Sequence, residues 1–487
     1  MLRDALTPLV PHDPLSRRAF VRRSLSIAPS VSQWGCGEDG QLGLPSAPVT
    51  AKRATPDWHV PTPTALRLPS GESVAAHSVS RETGAPREKP LVAGSRNSAA
   101  RARSGATYAW GWNSHDTLGL DTDEEWIPTP RKVKFEKAFT SVSLGGWHAV
   151  ALDGDGNAWA WGGNEYGQAG VRGDARDERH AGVHVSEHVS VPARVAFRLQ
   201  KNKNGEDTYR RDDTRDDTRD DTPSRITQVA CGGMNSFALE NSQNDSRNDS
   251  HQNDDSKKEN ERASCRVFEW GARAGSEKEH ARAPVAVPFH LPVAERVASL
   301  AAGMFHVLAL TSHGRVFAWG KGDYGQLGLG RPGNWDAPKE VAPLSDKAVV
   351  FVAAGGWHSC ALAADGACFT WGRGEYGRLG MAEDQADKQR PTEVAFEPDA
   401  NEETKEKEKK KIVDAALGGS HTCFLDARGA VWSVGRNNHG RLGRVVHGKW
   451  TGAPGRVVFP PPRGGGEWVC ESIVAGGRHT LAVARAV

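Results

Sequence analysis

Methionine is scarce in this chain, with 4 among 487 residues, and tyrosine is little commoner, with 5. No run of 18 apolar residues occurs, so no transmembrane helix is expected. Excess charge of either sign is missing too: Lys plus Arg is 62 and Asp plus Glu is 60, a formal +2. That balance offers no polybasic footprint for nucleic acid. The seven cysteines (Cys36, Cys231, Cys265, Cys360, Cys368, Cys423 and Cys470) are odd in number and form no CxxC. This argues against a disulfide framework and a structural zinc site, and fits a reducing compartment. Apolar residues make up only 38 %, low for one compact core, so part of the chain is expected to be solvated insert. Enzyme signatures are absent as well: no Gly-x-Ser-x-Gly elbow, no His-Glu-x-x-His and no P-loop. Asp153 and Asp155 flank a hairpin glycine and read as turn residues. No catalytic residue, cofactor or metal is expected.

What the chain does have is glycine (54), tryptophan (16) and an internal repeat. Gly145-Gly146-Trp147-His148 recurs as Gly303-Met304-Phe305-His306, Gly355-Gly356-Trp357-His358, Gly418-Gly419-Ser420-His421 and Gly476-Gly477-Arg478-His479. Two further copies end in Asn: Gly94-Ser95-Arg96-Asn97 and Gly232-Gly233-Met234-Asn235. In five copies a glycine follows the His or Asn by 8 residues, a Trp (Val434 in one copy) by 13, and another glycine by 22. In the Asn235 copy the tryptophan, Trp270, comes 35 residues on, and the polar run 241–262 accounts for the excess. The Gly476 copy is cut short, and its missing half stands near the other end, as Trp34-Gly35 and Gly40-Gln41-Leu42-Gly43.

Between each His and Trp, apolar and small residues flank a central glycine turn, the pattern of an antiparallel hairpin. One such unit cannot bury both faces of its sheet, whereas seven set radially bury them against one another. Dividing one repeat between the chain's two ends lets its strands pair and removes two open sheet edges. The expected fold is all-β: a seven-bladed β-propeller closed by an N-terminal strand on the C-terminal repeat, spanning 31–487 with disordered inserts.

These strings resemble the regulator of chromosome condensation repeat, Gly-Gly-x-His-(Ser/Thr) through Asp-Gly to Trp-Gly-x-(Asn/Gly)-x-x-Gly-Gln-Leu-Gly. Residues 312–328 and 356–380 resemble it most closely. The resemblance implies a seven-bladed propeller whose last blade takes a strand from the N-terminal side. It also implies a protein partner, since the family's founding member is an exchange factor for the small GTPase Ran. None of the seven residues before the His or Asn is acidic, whereas acidic turns help that member engage its GTPase. A plant-type UV-B receptor subgroup shares the fold but carries Gly-Trp-Arg-His-Thr in three adjacent blades. Here Trp147 and Trp357 lack the arginine and fall in non-adjacent repeats.

Three segments read as solvated inserts: about 201–224, with three successive RDDT strings, 241–262, and the charge run 397–411. Residues 1–30 carry Arg3, Arg17, Arg18, Arg22 and Arg23 against Asp4 and Asp13, the composition of a mitochondrial presequence or of a disordered basic tail. The expected compartment is the cytoplasm or the mitochondrion, which the composition leaves open.

The repeated histidines, His148, His306, His358, His421 and His479, are expected to serve the blades by bonding backbone at the turn, because seven-fold spacing scatters them too widely for a metal. Trp110, Trp161, Trp319 and Trp371, with Trp34 and Trp270, are expected in the blade core. The variable residues before the histidine should gather at one rim. Arg96, Trp147, Phe305, Trp357 and Arg478 are the candidates there for a protein-binding face, being of the types that dominate interfaces. Two functions follow: a monomeric regulator of a small GTPase, acting as a guanine-nucleotide exchange factor, or a non-catalytic interaction scaffold, organellar in ribosome assembly or membrane dynamics.

Overall fold

A computed structural model describes residues 30–44, 59–75, 89–171, 187–197, 225–241, 265–276, 280–292, 295–397, 410–462 and 464–487. Among these residues the chain forms seven four-stranded antiparallel sheets. Blades 1 to 6 are consecutive meanders whose first strands are Leu91–Ala93, Phe139–Leu144, Ile226–Cys231, Val297–Ala302, Val349–Ala354 and Ile412–Leu417. Blade 7 is composite. Trp468–Ala475 and His479–Ala486 form its first two strands, and Ser30–Cys36 and His59–Leu66 its last two. The joining ladder runs without a bulge from Ser30 opposite Ala484 to Gly35 opposite His479. The fold is the closed seven-bladed propeller that the split repeat implies.

First strands of neighbouring blades touch all round the ring, so they lie nearest the axis. Second strands such as His358–Ala363 are buried along their whole length. Fourth strands such as Trp335–Glu340 alternate exposed and half-buried residues and form the outside. A single sheet has two faces and no interior, so the apolar core lies in the seams between blades. In one seam Leu308, Leu310, Val316 and Leu327 of blade 4 pack against Val349, Val352, Ala361 and Trp371 of blade 5. The Trp-Gly tryptophans, including Trp34, Trp110, Trp161, Trp270, Trp319 and Trp371, are almost wholly buried. They fill seams rather than the middle of their own blades. The glycine after each is forced: at Gly372 φ is +104°, and a Cβ would stand 2.6 Å from the Trp357 carbonyl oxygen.

The expected inserts fall largely outside the described residues. At their edges, Asn241 closes a strand opposite Cys265, and the Lys411 carbonyl accepts from the Ala427 N–H at 2.9 Å. The basic segment 1–29 lies outside the described residues, as does 172–186. No helix among the described residues is long and apolar enough to cross a membrane.

Candidate protein-binding face

In each meander the turn between the first two strands and the loop between the last two lie at the same end. All seven Gly-Gly-x-His-type turns therefore share one face of the ring with the Gly-Gln-Leu-Gly loops. Around that face the second turn residue of each blade donates its backbone N–H to the next blade's turn. The bonds are Ser95 to Gly145 (3.4 Å), Gly146 to Gly233 (3.2 Å), Gly233 to Met304 (3.0 Å) and Met304 to Gly355 (3.2 Å). Gly356 to Gly418 (3.1 Å), Gly419 to Gly476 (3.3 Å) and Gly477 to Gly94 (3.1 Å) close the circle. Such close approach explains the double glycine: a Cβ at Gly146 would sit 2.6 Å from the Gly233 carbonyl oxygen.

The five histidines do not bond backbone at their own turns through Nε2, as the sequence led us to expect. Each Nε2 meets a hydroxyl on the next blade. The pairs are His148 with Ser236, His306 with Ser359 and His358 with Thr422, all at 2.8 Å, His421 with Thr480 at 2.9 Å, and His479 with Ser98 at 2.8 Å. The hydroxyl in turn donates to a loop carbonyl of the blade that carries the histidine, as Ser359 does to Gln326 at 2.7 Å. The Trp371 indole N–H donates to the same oxygen at 2.9 Å. Ser98 and Trp110 share the Gln41 carbonyl in the same way. Since the hydroxyl's proton goes to the carbonyl, the histidine must donate from Nε2, which assigns the Nε2–H tautomer. Burial keeps these rings neutral: it lowers His148 to about 4 and His306 and His479 to about 3, and holds His358 and His421 well below the usual value. A buried imidazole with a hydroxyl partner is a seam fastener rather than a titrating acid or base.

Of the rim candidates, Trp147 is 40 % exposed. Phe305 and Trp357, on blades 4 and 5, come together with ring centroids 4.7 Å apart, and Tyr324 joins them at 5.3 Å from Trp357. Arg96 is tied to the buried Asp39 and lies 4.3 Å over the Trp112 ring. Arg478 is exposed and reaches Glu38 at 3.6 Å. The structure thus unites Phe305 with Trp357, brings Arg96 and Arg478 to the adjacent acids Asp39 and Glu38 of one loop, and places Trp147 and Trp357 three blades apart. Sequence reasoning missed Trp126, which is 51 % exposed and pairs across its sheet with Trp112. It also missed Arg378 and Arg441, buried on this face at the position where Gln41, Gln168 and Gln326 stand in other blades. Comparing the repeat copies at that position would have revealed the two arginines.

Cys36, Glu38 and His439 bring ligand-type atoms within 4.8 Å of one another. Arg478 already engages Glu38, and burial foremost raises the Cys36 thiol above its ordinary value. That leaves a poor donor set for a cation.

The ring, its seam histidines and its split blade define a closed seven-bladed propeller of Gly-Gly-x-His repeats. The model for the regulator of chromosome condensation (RCC1) repeat matches residues 104–152, 313–362 and 365–425, and a second model of that repeat matches 139–168, 297–326, 349–378 and 412–441. The chain carries several copies of the regulator of chromosome condensation repeat. It is 27 % identical to the human E3 ubiquitin-protein ligase HERC2 over 77 % of its length, but spans only 6 % of that protein. It is 24 % identical to the ultraviolet-B receptor UVR8 of Arabidopsis thaliana over 85 % of this chain and 74 % of the receptor. The mitochondrial RCC1 domain-containing protein RUG3 of Arabidopsis thaliana is 26 % identical over 69 % of this chain and 64 % of its own. Human WBSCR16 superposes with a TM-score of 0.66 at 20 % identity, covering 94 % of this chain and 99 % of that one. Prp20p of Saccharomyces cerevisiae superposes at 0.65 and 17 % identity, over 94 % of this chain and 92 % of its own. These two structures share the fold.

Proposed function

We propose that this propeller binds a protein partner through the Gly-Gly-x-His face and regulates a small GTPase as an exchange factor. The observation that carries the reading is a pair of exposed tryptophans, Trp126 on blade 1 and Trp147 on blade 2, on a ring of fastened blades. Large aromatics of this kind supply much of the energy of protein interfaces. Exchange asks for no covalent chemistry. A face that prefers the nucleotide-free GTPase speeds nucleotide release by linkage. The structural study of Prp20p describes its binding to Gsp1p and histones, which supports a protein partner for a ring of this shape.

The test is a tagged pull-down from lysate, in EDTA and again in Mg²⁺ with GTP, read by mass spectrometry. A small GTPase enriched in EDTA alone is the expected result. The same partners in both conditions with no GTPase would sink the exchange reading. That outcome would favour the second reading, a non-catalytic scaffold in mitochondria. The arginine-rich, acid-poor stretch at 14–37 and the resemblance to mitochondrial RUG3 speak for it, and the compartment of the recovered partners decides between cytoplasm and mitochondrion.

A further inference from the structure

One sector of the binding face, over blades 5 to 7, concentrates guanidinium groups around a short side chain. At the seven rim positions before the His or Asn, Ser420 is the smallest residue; its neighbours on the ring carry Trp357 and Arg478. The Ser420 turn is held from three sides. Arg441 donates from Nη1 to the Ser420 hydroxyl at 2.9 Å, and Arg378 from Nη1 to the Gly419 carbonyl at 3.3 Å. The backbone N–H of Arg436 donates to the Ser420 carbonyl at 2.9 Å. Tyr376 props the guanidiniums from below, its ring centroid 4.7 Å from Arg436 and 5.7 Å from Arg378.

The acids nearby are too few. Glu375 is shared by Arg373 at 2.6 Å and Arg378 at 3.4 Å, and Glu38 serves Arg478 at 3.6 Å. Among the described residues no carboxylate lies within ion-pair distance of Arg436 or Arg441. The Arg436 Nε–H is buried with no acceptor. Arg441 is 3 % exposed and bonds only the Asn438 carbonyl and Ser420. Burying an unpaired guanidinium is costly, so a cluster of them is stable chiefly where an anion completes it. Desolvation and the neighbouring arginines push Arg378 and Arg441 down to about 10. Five guanidiniums against three carboxylates (Glu375, Glu38 and, at longer range from Arg378, Asp387) leave an excess that a dianion matches better than a single carboxylate. Planar guanidinium forks also suit tetrahedral phosphate oxygens.

We propose that the notch over Ser420 binds a phosphate monoester carried by a partner protein, gripped by Arg436, Arg441 and Arg478 with Arg378 behind them. The source of the phosphate rests on the protein-binding reading above. The grip itself does not, because it can be measured with no partner present. The experiment follows thermal unfolding of the full chain against inorganic phosphate, then titrates it with a phosphoserine pentapeptide, its glutamate counterpart and a single-stranded oligonucleotide. Two variants go alongside: Arg441→Gln, which removes one grip, and Ser420→Trp, which fills the notch with the residue blade 5 carries and leaves every charge in place. We expect the midpoint to rise with phosphate in the wild type and not in either variant. We also expect at least about tenfold tighter binding of the phosphopeptide than of the glutamate peptide, the worth of one charged hydrogen bond. An equal rise in all three proteins would mean a general salt effect and would overturn the site. So would glutamate binding as tight as phosphoserine, or retention of the oligonucleotide alone. A phosphate site with no GTPase in the pull-down would leave this proposal standing and remove only the exchange reading.

Discussion

Five seams between blades carry a histidine bonded to a hydroxyl, and two do not. Where the histidine gives way to Asn97 or Asn235, the hydroxyl position of the next blade holds Ala149 or Val307. Donor and acceptor have changed together at both seams. The energetics of buried polar groups accounts for the missing hydroxyl; the asparagines themselves differ, the Asn235 amide reaching Glu269 at 3.4 Å while the buried Asn97 amide has no partner among the described residues. Losing both partners of a buried hydrogen bond is close to neutral, whereas losing one strands the other at about 1–3 kcal/mol. The seam after blade 3 differs further. That blade has Arg273-Ala274-Gly275 where others have strings of the Gly-Gln-Leu-Gly type, and the Trp319 indole N–H meets no loop carbonyl among the described residues. In its place Glu269 is buried beside Asn235 and Trp319, takes the Ala274 N–H at 2.6 Å, and is pushed up by burial to about 7. One seam is built on a neutral histidine and the other on a carboxyl near its titration point.

The harshest way to break a regular seam is to empty it. Trp371→Ala should cost about 3–5 kcal/mol, the usual loss for a buried tryptophan, and appear as a lower denaturant midpoint. Next comes Ser359→Ala, which strands the His306 Nε2–H and should cost about 1–3 kcal/mol in the same measurement. Adding His306→Asn, which copies the irregular seams, should recover part of that loss, since the smaller amide at the Asn97 seam is tolerated without a partner. A double mutant no better than the sum of the singles would show that the pairing is incidental.

Acid should separate the two kinds of seam more gently. The five histidines stay neutral in the fold to well below the value near 6.5 that they have when unfolded. The unfolded chain therefore binds more protons below pH 6.5. Their contribution is complete above that pH and drains away as pH falls toward about 4 to 3. The His306→Asn, Ser359→Ala protein should lose stability less steeply over that range. Glu269 works in the opposite sense. Its folded value of about 7 exceeds the unfolded one near 4.3, so its contribution is present at low pH and lost as pH rises through 7. Glu269→Gln should stabilise the protein at pH 8 and leave it unchanged at pH 4, as seen by unfolding at the two pH values. The smallest effect on stability belongs to the rim. Trp147→Ala should move the unfolding free energy by no more than about 0.5 kcal/mol while weakening partner capture in the pull-down.

The ring itself was legible from spacing alone, because the 8, 13, 22 interval and the divided repeat constrain strands, turns and closure together. The histidine's partner was not found. It sits one residue past the histidine, but in the next copy, so a search within one repeat passes over it; aligning Ser98, Ser236, Ser359, Thr422 and Thr480 against the two Asn seams displays the rule. Burial of Arg378 and Arg441 cannot be read from sequence, since arginine in a loop is ordinarily solvated. Only the fold shows that the neighbouring turn roofs them over. The pairing of Arg96 with Asp39 was hidden for another reason: the two are 57 residues apart and meet only because blade 7 closes on blade 1.

The composite blade has a consequence in time. The strand Ser30–Cys36 is made long before its ladder partner, His479–Ala486, which lies more than 400 positions later. While the polypeptide is being synthesised that strand waits with one unpaired edge, and blades 1 and 6 each keep an uncovered apolar flank. Contacts this remote in sequence form slowly. Between those two points the nascent chain is an open arc with sticky ends, and a chaperone's attention would be needed at those two flanks rather than evenly around the circle.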